Sequence, residues 1–201
     1  MVIQSVEELR ALYQKVSGRA KDKVFPALDK HSKNFIHHSP FLVLSTVGSN
    51  GKLDASPRGG EAGFVKILSD NELLIADSKG NNRLDSLSNI VETGEIGMLL
   101  MIPGVDETLR INGTATISTK PELLSQFSEE QNPPRTCIVV KTEQVFLHCA
   151  KAFMRSKLWN EEAKIDRSEF PTMGEMLNDQ LNIEGNSETQ REMVERYKKD
   201  L

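Results

Sequence analysis

The sequence predicts a mainly β, α+β fold: an antiparallel sheet or closed barrel flanked by helices at both ends of the chain. Three observations predict it. Six or more segments carry strand-type patterning and are joined mostly by short turns. Asn50-Gly51, a strong hairpin signal, directly follows one of them. Helices do not follow strand after strand, as a parallel doubly wound sheet would require.

The elements read in order as follows. Ser5-Val-Glu-Glu8 has the spacing of a capping box, with Leu9, Leu12, Tyr13 and Val16 at helical spacing and Gly18 ending the run. A second helical stretch is expected from Lys21 to Phe35, with Pro26 restricting where it starts. Phe41–Val47 is a strand, and Lys52–Ser56 returns from the hairpin after it. Gly63–Leu68 and Glu72–Ala76 pair across Ser69-Asp70-Asn71. Asn82 is expected to cap a helix carrying Leu84, Leu87, Ile90 and Val91. Strands follow at Ile96–Ile102 and Glu107–Ile117, joined across Pro103-Gly104. Thr119-Lys-Pro-Glu122 caps a short helix, and Thr136–Leu147 is a long strand. Two helix starts, at Thr172-Met-Gly-Glu175 and Ser187-Glu-Thr-Gln190, mark the tail.

Composition bounds the function. The chain has 201 residues, 25 basic against 29 acidic, for a net charge of −4. That mild acidity argues against a nucleic-acid partner. The longest apolar run, Ile96–Pro103, is too short to span a bilayer. MVIQSVEELR lacks the layout of a secretion signal, and two cysteines cannot build a disulfide framework, so a cytoplasmic setting is expected. Charge is uneven: residues 160–201 hold 11 acids and 6 bases, whereas the rest of the chain is close to neutral. This division indicates one body with an acidic helical C-terminal extension.

Several chemistries are missing. No GxGxxG, GxxxxGK, HExxH or GxSxG occurs. His37-His38 reads as a solvated pair at a helix end, since neighbours on one element point in different directions. The same objection applies to His148-Cys149 as a base and nucleophile.

Three segments place cations beside turns: Ser56-Pro-Arg58-Gly-Gly60, Lys66 at a strand end, and Lys79-Gly-Asn-Asn-Arg83-Leu-Asp-Ser86 running into a helix. Free N–H groups and the helix dipole favour a phosphate at the last of these, with Arg83 supplying a forked contact. A solvated helix start with an incidental arginine is the other reading, and the residues alone leave both open.

The run Gly63–Arg83 leading into Leu84-Asp-Ser-Leu87 resembles the pyridoxamine 5′-phosphate oxidase-like, FMN-binding split-barrel family. Met98-Leu-Leu-Met-Ile102 and Glu107-Thr-Leu-Arg-Ile-Asn-Gly113 match the paired strands that follow in that family, and the resemblance covers roughly Ser39 to Trp159. With Pro103-Gly-Val-Asp-Glu-Thr-Leu-Arg110, it points to a branch of FMN-dependent enzymes of unknown substrate. The resemblance implies a split β-barrel at 39–159, between an N-terminal helical segment at 1–38 and the extension at 160–201. It implies FMN as cofactor, with Asn82 and Arg83 on its phosphate, Ala76 and Asp77 along the flavin, and Thr108 near the ring. Lys66 falls where the vitamin-converting oxidases place a substrate-phosphate contact. Glu61 stands where those oxidases carry an arginine, so Arg58, with Ser56 beside it, is expected to supply that charge.

The oxidases' C-terminal motif is absent. His148–Trp159 takes its place, with Lys151, Arg155 and Trp159 at four-residue intervals. On a helix these share one face, suited either to a flavin or substrate reaching across a homodimer interface or to a surface helix anchored by Trp159. The expected function is an FMN-dependent oxidoreductase acting on a small molecule. A non-catalytic FMN carrier, or a barrel using deazaflavin or haem, is the alternative.

Overall fold

The computed structural model describes residues 2–16 and 18–200. At its centre lie seven strands: β1 (Phe41–Val47), β2 (Leu53–Gly59), β3 (Lys66–Ile67), β4 (Glu72–Ala76), β5 (Glu95–Ile102), β6 (Val105–Ser118) and β7 (Cys137–His148). They form one antiparallel sheet in the order β2-β1-β5-β6-β7-β4-β3. The edges β2 and β3 do not pair, so the sheet stays open rather than closing into a ring.

Hairpin connections explain most of this order. Gly104, at a φ of 85°, makes the tight turn between β5 and β6, where Ile102 faces Val105. Asn50-Gly51 does not make a two-residue turn. It lies within a five-residue loop, because Val47 pairs with Leu53 and the Gly48 N–H bonds the Lys52 carbonyl. Pro57 sits inside β2, which runs on to Gly59 rather than stopping at Ser56. An edge strand tolerates a residue with no N–H to give.

The helices are α1 (Val6–Ala11), α2 (Arg19–Asp22), α3 (Lys30–His38), α4 (Asp85–Thr93), α5 (Pro121–Leu124), α6 (Lys151–Ser156), α7 (Met173–Leu181) and α8 (Gln190–Tyr197). The single stretch expected from Lys21 to Phe35 is two helices. Between them Phe25 forms a two-way backbone bridge to Val145 of β7, and Asp29 with Ser32 caps α3. α1 ends at Ala11, well short of Gly18, and Leu9 within it and Leu12 and Tyr13 just after it are exposed. Without a surface to cover, that apolar stripe gains nothing from a longer helix.

Helices α3 and α4 pack against the sheet and enclose the main core of Ile36, Leu42, Leu44, Ile90, Met98, Leu100, Leu109 and Ile111. A smaller cluster of Leu74, Phe127 and Cys137 lies apart from it. In the extension, Thr172 and Glu175 form the capping box of α7 as expected, whereas α8 is capped by Thr189 and Glu192 rather than by Ser187 and Gln190. Thr119 does not cap α5, whose first turn begins after Lys120. Among the described residues, no helix is long and apolar enough to cross a membrane.

Candidate functional site

Strand β2 alternates strictly, with Asp54, Ser56 and Arg58 half-buried and their neighbours exposed. A strand places such residues on one face. That face, the end of β4, the loop into α4, residues 132–135 and the end of α8 line a cleft of about 1030 Å³.

Arg58 is the most demanding group in it. Its Nη1 stands 3.6 Å from Asp77 Oδ1, too far for a good hydrogen bond, and its Nε is buried without a partner. Leaving a buried donor unmet costs about 1–3 kcal/mol, so the guanidinium calls for an acceptor from outside the chain. Asp77 is held in place by its backbone N–H on the Thr136 carbonyl and by the Thr136 hydroxyl, 3.4 Å from Oδ2.

A hydrogen-bonded chain runs beside it. Ser86 Oγ donates to Asp54 Oδ2 at 2.5 Å, and Ser56 Oγ lies 2.8 Å from Ser86 Oγ. A hydroxyl has one proton, so with that of Ser86 given to Asp54, Ser56 must donate to Ser86. Ser56 then offers lone pairs to the cleft. It is better suited to accept from a hydroxyl or ring N–H than to bind phosphate.

The loop into α4 is unusual backbone. Asn82 and Leu84 both have positive φ, 58° and 59°, and neither is glycine. Asn82 does not cap α4 as expected. Leu84 is the N-cap and has no side chain that can accept, while the Asn81 carboxamide oxygen takes the Arg83 N–H at 3.1 Å. The first donors of α4 therefore lack a side-chain acceptor at the cleft wall. Arg83 precedes the helix and donates through Nε to Asp85 Oδ2 at 2.8 Å, which raises its pKa above the ordinary arginine value. A cation at a helix start opposes the dipole, and here Asp85 within the chain offsets the Arg83 charge.

The structure brings Ser56, Arg58, Asp77, Asn82 and Arg83 to one cleft and leaves the other expected site residues outside its lining. Ala76 packs toward Leu74, Phe127 and Cys137. Lys66 lies 3.5 Å from the Gly63 carbonyl and near Glu130, whose carboxyl is pushed up by burial and partly drawn back by Lys66. Thr108 is buried on β6 opposite His148. Lys151 and Arg155 are exposed on α6. Trp159 does not share their face, because Lys157 turns left-handed and ends the helix first. Its ring stacks on Phe153 and its N–H bonds Val105, the role of an anchor. His37 and His38 are exposed in the last turn of α3, and among the described residues no His, Cys, Asp and Glu cluster could hold a metal ion.

Sequence reading flagged the segment from Lys79 to Ser86 but missed Asp54, Arg135, Arg196 and Tyr197 of α8, and Asp200 just beyond it, all of which line the cleft. Asp54 had a usable signal, its period-two spacing from Ser56 and Arg58. Nothing local tied α8 to β2.

The family profile described as pyridoxamine 5′-phosphate oxidase matches residues 28–149, well over half of the chain. The protein belongs to that family, and its open antiparallel sheet is a split-barrel fold. Among solved structures, HupZ of Group A Streptococcus is 16% identical with a TM-score of 0.51, over 60% of this chain and 93% of that one. An FMN-binding protein of Syntrophomonas wolfei is 16% identical with a TM-score of 0.42, over 58% and 80% of the two chains. HutZ, the heme storage protein of Vibrio cholerae, is 12% identical with a TM-score of 0.42, over 60% and 93%. These are likenesses of fold. No curated protein sequence matches the chain.

Proposed function

We propose that the protein is an FMN-dependent oxidoreductase acting on a small molecule, and that it works as a homodimer. The observation that carries this reading is the buried, unpartnered Nε of Arg58 in a cleft also lined by a helix start without a side-chain cap. Those features suit the phosphate of a flavin nucleotide. Arg58 and Arg83 would hold the phosphate with the α4 N–H groups and Asn82, and Ser56 would accept from the ribityl chain. When bound, the flavin supplies hydride transfer, while the protein anchors and orients it. The absence of a nucleophile–base pair among the lining residues is compatible with that division of labour.

The lining carries no histidine, cysteine or methionine, and Tyr197, under the Arg196 guanidinium, is its one side chain of a type that ligates haem iron, which favours the flavin. The absence of a nucleophile–base pair from the lining also suits a non-catalytic flavin carrier. Lys151 and Arg155, exposed on α6, are free to face a second subunit's cleft. The test begins with the colour of the purified protein and the mass of its released cofactor. Anaerobic bleaching by NADH or NADPH, with turnover on adding an acceptor, supports the oxidoreductase. A yellow protein that no donor reduces is a carrier, and release of a deazaflavin or haem overturns the cofactor assignment. Light scattering of the FMN-loaded protein as a monomer of 22.5 kDa would overturn the dimer.

A further inference from the structure

We propose that the C-terminal helix α8 is a built-in competitor for this cleft, with Asp200 standing where a ligand's anionic group would meet Lys79. The inference rests on the reading of the cleft as an FMN site. Four carboxylates line the cleft: Asp54, Asp77, Asp85 and Asp200. The first three belong to β2, the end of β4 and α4, and only Asp200 arrives from the extension. Its Oδ1 lies 2.5 Å from Lys79 Nζ, bridging 121 residues of sequence.

The rest of α8 is held by contacts within the extension. Thr189 and Glu192 close its N-terminus in a capping box. Arg196 makes two contacts to Glu188, at 2.9 and 2.7 Å, and its guanidinium lies over the Tyr197 ring at 4.5 Å. Arg196 is therefore committed to Glu188. The Asp200 N–H bonds the Tyr197 carbonyl, which turns the chain end toward the cleft. The Lys79–Asp200 pair is a single contact and is exposed, at 64% and 39%, and an isolated ion pair so exposed holds weakly. Several contacts hold α8 within the extension, whereas one ion pair latches its end to Lys79.

A phosphate held by Arg58 and Arg83 in the same cleft repels the Asp200 carboxylate and competes with it for Lys79, releasing the chain beyond α8. Linkage makes this reciprocal: whatever affinity the phosphate loses in displacing Asp200 is regained when the Asp200 charge is removed.

The experiment compares FMN titration of the full-length wild type, Asp200→Asn and Glu195→Gln. The last makes the same charge change on α8 at a residue paired with Lys198 and absent from the cleft lining. Asp200→Asn is expected to bind FMN about 3- to 10-fold more tightly, with Glu195→Gln close to wild type. FMN is also expected to speed hydrogen exchange of the α8 amides in the wild type. Equal or weaker binding by Asp200→Asn overturns the competitor, as does an equal gain in both variants. In either case FMN still binds and the cofactor reading stands. Failure of all three proteins to bind FMN overturns the cofactor reading, and the competitor with it.

Discussion

The indole N–H of Trp159 donates to the Val105 carbonyl at 3.0 Å, fastening the chain beyond α6 to the start of β6. The ring also stacks on Phe153, with centroids 5.3 Å apart. Trp159→Phe is expected to keep the stack and lose the hydrogen bond, at a cost of about 0.5–1.5 kcal/mol. Trp159→Ala loses both and is expected to cost roughly 2–3 kcal/mol, below a fully buried aromatic because the site is half-exposed. Thermal unfolding of the two variants checks this, and equal melting of Trp159→Phe and wild type would remove the hydrogen bond from the account.

Gly113 marks the place where β6 and β7 slip register, with Asn112 opposite Gln144 but Gly113 opposite Thr142. A methyl group there would overlap the Lys141 carbonyl oxygen, which is backbone and cannot swing aside. Gly113→Ala is expected to destabilise the fold by roughly 2–3 kcal/mol, as overpacking does. Urea unfolding with an unchanged slope and a lowered midpoint is the predicted signature.

The α3 cap predicts a pH dependence. The Asp29 carboxylate accepts from the Ser32 hydroxyl and from the Ser32 N–H, and these hold its pKa below the ordinary value of 3.8. A depressed carboxylate contributes stability that is complete above its unfolded pKa and is lost as pH falls through the folded one. Asp29→Ala is expected to cost about 1 kcal/mol at neutral pH. The gap to wild type should hold down to about pH 5 and narrow below pH 4. A gap that stays constant down to pH 3 would mean that the charge contributes nothing.

Arg83 tests the phosphate site. Arg83→Ala is expected to weaken FMN binding about 10- to 100-fold, the range of a lost charge-assisted contact, with Arg83→Lys recovering part of it. Apo stability should barely change, because the Arg83–Asp85 pair is exposed. Undiminished FMN binding would move the phosphate onto Arg58.

Where local chemistry decides the outcome, the sequence was readable. The strand Phe41–Val47, the Pro103-Gly104 turn and the Thr172–Glu175 capping box all appear in the structure at their expected places. Pattern failed where a distant partner decides. Phe25 leaves helix to pair with Val145, a contact 120 residues away that no helical spacing reveals. The cleft divides in the same way. Ser56, Arg58, Asn82 and Arg83 stood out as cations and polar groups beside turns, but Asp200 joins them only because the extension returns to the same cleft, where it meets Lys79. Asn82 misled because the usual capping residue here serves a left-handed turn instead.

Pro57 has a bearing on how two copies could meet. Strand β2 is an outer edge of the sheet, and an outer edge is an open template for another strand. A proline there deletes one of the donors a docking strand would need, next to the half-buried Arg58. Sheet-to-sheet fusion along β2 is thereby discouraged, and the flank beside the cleft stays open to small molecules rather than to a neighbour's backbone.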